Sequence, residues 1–311
     1  MRSLSCATKE MRRLLLRSLL SPWVAAKWSL FVSRLHRELG ASAPPKTAFA
    51  KPLRRYVYYS LRPRGRLELL LGHCAFMSRT FSKELQSRLC DRQTLEVAAL
   101  QGRKGEQFQV ELGASAFATG YREGELVLYL KRRRDGALLS QLSLLFVGRS
   151  DDLTVVIGGL QGPRPGHKRE VIDATRLMYG LRPKDATLLA ARALADALGG
   201  GVRAVADAAH VFRRKQGRRK LSEYDSYWRE RGAREAGRDE FAFDPLPALG
   251  DGDSGREAAK RAIVSGVRAF VEANRCGPAE DLAPTYPPRT VAAPVRSNRV
   301  QAAALLRNTF G

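Results

Sequence analysis

The sequence predicts a mixed α+β fold with a central, mostly antiparallel sheet and flanking helices. Three observations favour this fold class. Short apolar runs in the middle of the chain alternate with polar residues, as half-buried strands do. They follow each other across short turns, which is typical of an antiparallel meander. A segment rich in glycine and proline then leads into a helical period and a further strand.

Each element has its own signal in the sequence. Alternating apolar residues predict strands in EQFQVELG, GELVLYLKRR, QLSLLFVG and DLTVVIGG, and VRAVADAAHVF is predicted to be a further buried strand. Helical spacing predicts one or two helices in RGRLELLLGHCAFMSRTFSKELQSRL and one each in KDATLLAARALADALGG and GREAAKRAIVSGVRAFVEANR. The segment 231–255 is rich in glycine and aspartate, which predicts a loop.

The composition points to an anionic partner. The chain has 54 Lys and Arg against 31 Asp and Glu, a formal net charge of +23. Such an excess favours nucleic acid, phospholipid headgroups, lipopolysaccharide or a phosphorylated cofactor, although a GC-rich genome also enriches arginine. No recognised nucleic-acid-binding motif accompanies the charge. The four cysteines form no CxxC pair and no metal-ligand spacing with histidine, which argues against a zinc site and a disulfide framework.

The N-terminal segment 1–40 is predicted to be a basic amphipathic helix. Charged residues interrupt every apolar run, so a signal peptide and a membrane span are both excluded as interpretations. Trp23, Trp28 and Phe31 suit a membrane interface, and a helix packed on its own domain is the alternative. We therefore expect a cytoplasmic protein that is peripheral on the inner membrane or fully cytoplasmic.

The chain is expected to divide into four parts. A proline-punctuated linker, 41–52, is predicted to separate the N-terminal helix from a domain at 53–275, which is then expected to fold without that helix. The basic, Pro-rich segment 276–311 is predicted to be a poorly ordered tail.

Several motifs resemble a known family. IGGLQG, ATRLMYGLRPKDATLLAARALADALG, VADAAHVF and SEYDSYW occur in the order seen in the VirK/YbjX family, and RRYVYYSLRPRGRLELLLGHCAFM resembles its upstream segment. The resemblance implies a bacterial protein linked to virulence, envelope properties or antimicrobial-peptide resistance. After DSYW the family continues with an acidic residue and a glycine pair, whereas this chain has RERGAREAGRDEF.

The order of elements is also similar to that of GNAT-type acyltransferases, in which a pyrophosphate-binding loop precedes a helix. A strand, a Gly/Pro-rich turn and a helix N-terminus together form a cradle for anions. The resemblance implies CoA or acyl-CoA as cofactor, although Pro183, Asp185 and Ala186 stand where that loop needs glycine. The residues expected to bind the cofactor are Gln161, Gly162, Arg176, Gly180, Arg182 and Lys184.

The candidate catalytic residues are His210, Tyr224 and Asp225. Imidazole titrates near neutrality, so His210 suits a general base, and the Asp225 carboxylate suits orienting that base or pairing with Arg182. For all three, packing in the core is the alternative. Two functions stay open: an acyl or aminoacyl transferase, which needs a tunnel between splayed strands, and a non-catalytic protein that binds anionic lipid or another envelope component on a basic face.

Overall fold

One sheet forms the centre of the structure. The computed structural model describes residues 14, 16–118, 120–149, 152–163, 166–212, 223–250, 252 and 254–276. The strands are β1 Leu95–Gln101, β2 Gln107–Ala114, β3 Leu126–Arg132, β4 Leu138–Val147, β5 Thr154–Gln161, β6 Gly201–Val205, β7 Arg234–Glu235 and β8 Glu240–Phe243. Their order is β1-β2-β3-β4-β5-β6-β8-β7, and β5–β6 is parallel while the other neighbours are antiparallel. The predicted fold class is therefore confirmed.

Helices cover both faces of this sheet. Their bounds are α1 Pro22–Glu38, α2 Lys46–Ala50, α3 Pro63–Thr80, α4 Lys83–Cys90, α5 Lys168–Leu177, α6 Pro183–Ala197, α7 Tyr224–Glu230 and α8 Gly255–Asn274. Val155 and Ile157 of β5 belong to an apolar cluster with α6 and α8. Val156, which lies between them, belongs to a second cluster with α1 and α3. Since successive side chains of a strand point to opposite faces, α1 and the first half of α3 lie on one face and α6 and α8 on the other. Phe76 and Met77, near the end of α3, belong to the first cluster.

The connection from β5 to β6 positions the candidate site. Parallel strands need a long crossover, and here it consists of α5 and α6. The two strands pair only from Thr154–Gly201 to Ile157–Ala204, and β5 then continues to Gln161 without β6 as a neighbour. Beyond Ile157, β5 is paired with β4 through a register shift that leaves Gly158 as the extra residue of a bulge.

Some elements differ from the prediction. Strand β1 was not predicted, because a register shift between Glu96 and Ala98 interrupts its alternation. Helix α5 lies within the Gly/Pro-rich segment that was interpreted as a turn. The predicted loop 231–255 contains β7 and β8, which are short and flanked by glycine and aspartate. Apart from Cys276, the predicted tail lies outside the described residues.

The N-terminal helix packs against the sheet domain. Val24, Trp28 and Val32 of α1 are buried in the cluster that contains Tyr56 and Leu70. The segment 41–52 is no spacer, because it contains α2, whose Ala48 and Ala50 are buried. The expectation that this segment separates the helix from the body is therefore wrong. The division of the chain at residue 53 stays a prediction, and this packing reverses the expected result of removing the helix.

A buried histidine joins α3 to the sheet. His73 Nδ1 accepts a hydrogen bond from the Phe146 backbone N–H at 3.1 Å, and the two rings stack with their centres 5.4 Å apart. Burial lowers the pKa of His73 to about 4; the Glu125 charge opposes this effect and the Lys51 charge adds to it. The imidazole is therefore neutral and acts as a hydrogen-bond acceptor for the sheet.

Protonation of His73 is expected to make folding pH-dependent. Between the unfolded pKa near 6.5 and the folded pKa of about 4, the unfolded chain binds a proton that the folded chain does not. Stability should therefore fall by about 3 kcal/mol as the pH drops through this range. Urea unfolding at pH 7, 5.5 and 4 measures how the free energy of unfolding changes with pH. The variant His73→Gln keeps a hydrogen-bond acceptor but has no titrating group, so it is expected to lose the part of this pH dependence that His73 causes. An unchanged slope in His73→Gln would contradict the assignment.

Candidate functional site

Three of the residues expected to bind a cofactor meet at the end of β5. Gln161 is the last residue of this strand and Gly162 follows it. A Cβ placed on Gly162 would lie 3.8 Å from Lys184 Cε, in the first turn of α6. The start of α6 therefore lies beside the end of β5. Helix α5, which lies between them in the chain, takes no part in this contact.

The start of α6 contains Lys184 and Asp185, and Arg231 contacts the Asp185 carboxylate. Asp185 Oδ1 accepts hydrogen bonds from Tyr227 OH at 2.8 Å and from Arg231 Nε at 2.7 Å. Burial lowers the pKa of Lys184, and the Asp185 charge opposes this effect. Arg182 is exposed and forms no ion pair with any described residue, including Asp225. Its guanidinium is therefore accessible to a ligand.

Arg176 and Gly180 lie elsewhere in the crossover. Arg176 is on the exposed side of α5, 3.9 Å from the Asp173 carboxylate. Gly180 has a positive φ of 84° in the turn after α5, which favours glycine. Among the described residues, neither forms a hydrogen bond or ion pair with the other residues that were expected to bind the cofactor. Their expected part in cofactor binding stays a prediction.

A buried polar network lies where β5 and β6 stop pairing; we call it the Glu123 centre. Glu123 Oε2 accepts a hydrogen bond from Gln161 Nε2 at 2.8 Å, and Glu123 Oε1 lies 3.4 Å from His210 Nε2. Gln161 Oε1 in turn accepts from Gln141 Nε2 at 3.1 Å on β4. Glu123 and His210 are both buried. The carboxylate is therefore held by an amide on one oxygen and faces an imidazole on the other.

Glycines make room for this carboxylate. A Cβ on Gly158 would lie 1.8 Å from the Glu123 backbone oxygen, and one on Gly159 would lie 2.4 Å from Glu123 Oε2. Real Cβ atoms do not approach other atoms so closely. The bulge at Gly158 and the adjacent glycine therefore allow the loop that carries Glu123 to lie directly on β5.

His210 does not have the position that the sequence predicted. It follows β6, which ends at Val205, and forms an isolated bridge with Tyr58 instead of belonging to the strand. Its Nδ1 accepts a hydrogen bond from the Phe212 backbone N–H at 3.2 Å. The neutral ring therefore carries its hydrogen on Nε2, which faces Glu123 without a well-aligned hydrogen bond. The His210 ring therefore directs its Nε2–H towards the Glu123 carboxylate. A catalytic role for His210 stays a prediction.

Tyr224 and Asp225 support this centre from α7. The Tyr224 ring is buried, with its centre 5.1 Å from the His210 ring and 5.8 Å from the Trp228 ring. Asp225 Oδ1 accepts from the Asp207 backbone N–H at 2.7 Å, which closes the turn after β6. Asp225 therefore neither orients His210 nor pairs with Arg182. A catalytic role for either residue stays a prediction.

Sequence reasoning missed Glu123 and Gln141. Both are single polar residues whose partners are distant in the chain, so neither belongs to a local motif. One signal was available: the pair Gly158–Gly159 interrupts an apolar strand, and glycine there often marks the close approach of another part of the chain. The flanking glycines Gly120 and Gly124 mark the approaching loop.

A second candidate site is a pocket with three arginines, here called the arginine pocket. It has a volume of about 220 Å³ and is lined by Arg17, Leu20, Ser21, Leu53, Arg55, Pro63 and Arg66. Arg66 donates to the Leu61 and Pro52 carbonyl oxygens, and Arg55 lies 3.6 Å over the Tyr59 ring. Burial, with smaller contributions from the Arg17 and Arg55 charges, lowers the pKa of Arg66 to about 10. None of the three pairs with a described carboxylate, so the pocket carries uncompensated positive charge.

Exposed apolar residues lie beside this pocket. Leu16, Leu19, Leu20, Trp23 and Leu30 are between 58% and 82% exposed. Their spacing places them on one side of the helical segment 16–20 and α1, and Lys27 lies 4.7 Å over the Trp23 ring. We call this surface the apolar stripe. No helix in the described parts of the chain has the length and apolar content needed to cross a membrane.

A family model covers most of the chain, including both candidate sites. The model of the family "Protein of unknown function (DUF535)" matches residues 5–248, which include α1, the arginine pocket and the Glu123 centre. The chain belongs to this family. YbjX of Escherichia coli (strain K12) is 28% identical over 228 residues, which cover 71% of this chain and 68% of YbjX. The predicted VirK/YbjX family is therefore confirmed.

Solved structures give a more distant likeness. A cAMP-binding acyltransferase from Mycobacterium smegmatis matches with a TM-score of 0.29 and 11% identity in one mutant and with 0.27 and 13% in another structure. The match to the first covers 66% of this chain and 61% of that enzyme. This chain thus spans about three fifths of the acyltransferase. No functional argument follows from a likeness at this level.

Proposed function

We propose that this protein binds anionic lipid headgroups at a membrane surface through the apolar stripe and the arginine pocket. One observation carries the proposal: Leu20 belongs to the exposed stripe and also lines the pocket that contains Arg17, Arg55 and Arg66. A surface that combines apolar side chains with cations suits the boundary between headgroups and acyl chains.

The electrostatics of the pocket support an anionic ligand. Three guanidinium groups with no paired carboxylate among the described residues repel each other, and the Arg17 and Arg55 charges add to burial in lowering the pKa of Arg66. A bound phosphate relieves this repulsion and accepts several charge-assisted hydrogen bonds. Arg122, whose pKa is lowered by burial and further by Arg54 and Arg17, extends the positive potential beyond the pocket.

Vesicle binding tests this function. We expect the full chain to sediment with vesicles of phosphatidylglycerol and phosphatidylcholine, and less with phosphatidylcholine alone or at high salt. The double variant Arg17→Gln/Arg55→Gln should bind the anionic vesicles roughly thirty-fold more weakly, from ~1 kcal/mol per cation. Arg256→Gln/Arg268→Gln on α8 makes the same charge change on the other face of the sheet and should bind nearly as the wild type does. Equal binding by both double variants, or equal binding to neutral vesicles, would refute the proposal.

The apolar stripe has a separate signature. Leu20→Ser/Trp23→Ser should reduce vesicle binding at both low and high salt, because apolar insertion is not screened. Both side chains are exposed, so stability should change by less than about 0.5 kcal/mol. Free inorganic phosphate as a competitor distinguishes a headgroup site from one for a soluble phosphorylated ligand. Full displacement by phosphate alone would favour the soluble ligand.

A second candidate is group transfer with CoA or acyl-CoA at the Glu123 centre. The specific observation is a buried carboxylate, able to accept a proton, near the end of a parallel strand pair. Gln161 links this carboxylate to the strand end at which Lys184 lies. However, the Glu123 backbone occupies the space beside Gly158, where the parallel strands separate. The geometry therefore favours lipid binding as the first proposal.

Arg182→Ala tests this second candidate. Arg182 is exposed and unpaired among the described residues, so the variant should keep its thermal stability and should bind CoA more weakly by roughly 1.5–3 kcal/mol. Thermal shift with CoA and acyl-CoA on the wild type and on this variant measures both effects. Glu123→Gln is expected to keep CoA binding and to lose transfer. The absence of any shift with CoA compounds on the wild type would eliminate this candidate.

A further inference from the structure

A third, mostly apolar cavity lies beneath α1. It has a volume of about 120 Å³ between α1–α4, the end of β2 and the start of β3. The apolar part of its lining includes Trp28, Val32, Met77, Leu89, Phe117 and Leu126. An apolar cavity of about 150 Å³ is known to hold benzene, so this smaller one has room for most of a six-carbon chain.

One wall of this cavity contains a buried ion pair. Glu125 Oε1 accepts from Lys51 Nζ at 2.6 Å and from Tyr56 OH at 2.5 Å, and Lys51 Nζ also donates to Ser115 Oγ at 3.1 Å. Glu125 Oε2 has no hydrogen-bond partner among the described residues, and Glu125 lines the cavity. The carboxylate therefore presents a free acceptor to whatever occupies the space.

A donor faces the same cavity. His73 is 4% exposed and lines the cavity, and its Nδ1 is occupied as the acceptor for the Phe146 N–H. The neutral ring consequently carries its hydrogen on Nε2, for which no partner is present among the described residues. Both residues line the cavity, so an acceptor and a donor without a protein partner among the described residues are available to a polar ligand group there.

We propose that this cavity binds a short aliphatic chain that carries a hydroxyl group, with the hydroxyl donating to Glu125 Oε2 and accepting from His73 Nε2–H. A hydroxyl is both donor and acceptor, which matches the two free atoms. A carboxylate ligand is disfavoured because it meets the charge of Glu125. An alkane leaves both protein groups unpaired, which costs binding free energy. This site is independent of the membrane proposal.

A series of six-carbon ligands tests the chemistry without altering the protein. In thermal shift assays on the full chain, 1-hexanol should raise Tm in a concentration-dependent way, since it binds only the folded state. Hexanoate, hexylamine and n-hexane at equal free concentration should give clearly smaller shifts. A shift for n-hexane as large as that for 1-hexanol, or no shift with 1-hexanol, would overturn the proposal.

Variants at Cys90 test the location. Cys90 lines the cavity, so Cys90→Phe should fill it and weaken 1-hexanol binding at least about tenfold. Cys90→Leu fills it partly and provides a second filled variant if the larger side chain prevents folding. Cys90→Ala leaves the space open and should bind like the wild type. Unchanged 1-hexanol binding in a folded Cys90→Phe or Cys90→Leu variant would place the ligand elsewhere.

Discussion

Trp28→Ala is expected to destabilise the protein by roughly 3–5 kcal/mol, because it leaves a large void between α1 and the sheet domain. The indole is 2% exposed, and its Nε1 donates to the Ala48 carbonyl oxygen at 2.7 Å. Its loss thus removes apolar contacts and strands a buried acceptor. Urea unfolding followed by circular dichroism measures the change.

Trp23→Ala is the matched control for this prediction. Trp23 lies five residues earlier in the same helix but is 58% exposed, so its removal should change stability by less than about 0.5 kcal/mol. Equal losses for the two variants would show that α1 does not pack as described. Deletion of residues 1–45 extends the test and, contrary to the expectation from the proline-rich segment, should cost most of the stability of a typical domain.

Gly158→Ala is expected to be among the most disruptive single-methyl additions in the chain. The new Cβ would lie 1.8 Å from the Glu123 backbone oxygen, so either β5 or the loop 120–125 has to move. Overpacking commonly costs 1–3 kcal/mol, and a clash between two backbones should cost at least about 3 kcal/mol. Thermal unfolding measures the loss, and it should be accompanied by the loss of any activity at the Glu123 centre.

Gly162→Ala provides the control four residues further on. Its Cβ would meet nothing closer than Lys184 Cε at 3.8 Å, an ordinary contact distance, and its φ is not in the left-handed region. Stability should stay the same or rise slightly, because alanine reduces the freedom of the unfolded chain. If Gly162→Ala were as harmful as Gly158→Ala, the close approach of Glu123 would not explain the need for glycine.

The parts of the fold that sequence reasoning predicted are those with local periodicity. Strands β2–β5 and the helices α6 and α8 have regular apolar spacing, and each lies close to its predicted position. Strand β1 was missed because of its bulge. Helix α5 was missed because the whole Gly/Pro-rich segment before α6 was interpreted as a turn. Periodicity also says nothing about long-range packing, so the burial of Trp28 was left as an alternative.

The site residues that sequence reasoning identified are likewise those that lie in one continuous segment. Gln161, Gly162 and Lys184 were nominated from one continuous segment, and the structure brings them together. Glu123, Glu125 and His73 depend on partners that lie more than thirty residues away, and no local motif marks them. His210 and Asp225 were chosen by residue type, whereas the fold determines their hydrogen-bond partners, the Phe212 and Asp207 backbone N–H groups. The catalytic roles expected for them stay predictions.

The composition of the second apolar cluster has a consequence for biosynthesis. Trp28 packs in a cluster whose last member along the chain is Ala209, 181 residues later. At synthesis rates of about 5–20 residues per second, roughly 10–40 s pass between the translation of these two residues. During this interval the inner face of α1 lacks part of its final core while the outer face already presents leucines and Trp23. The nascent chain therefore exposes an amphipathic basic helix long before the domain is complete.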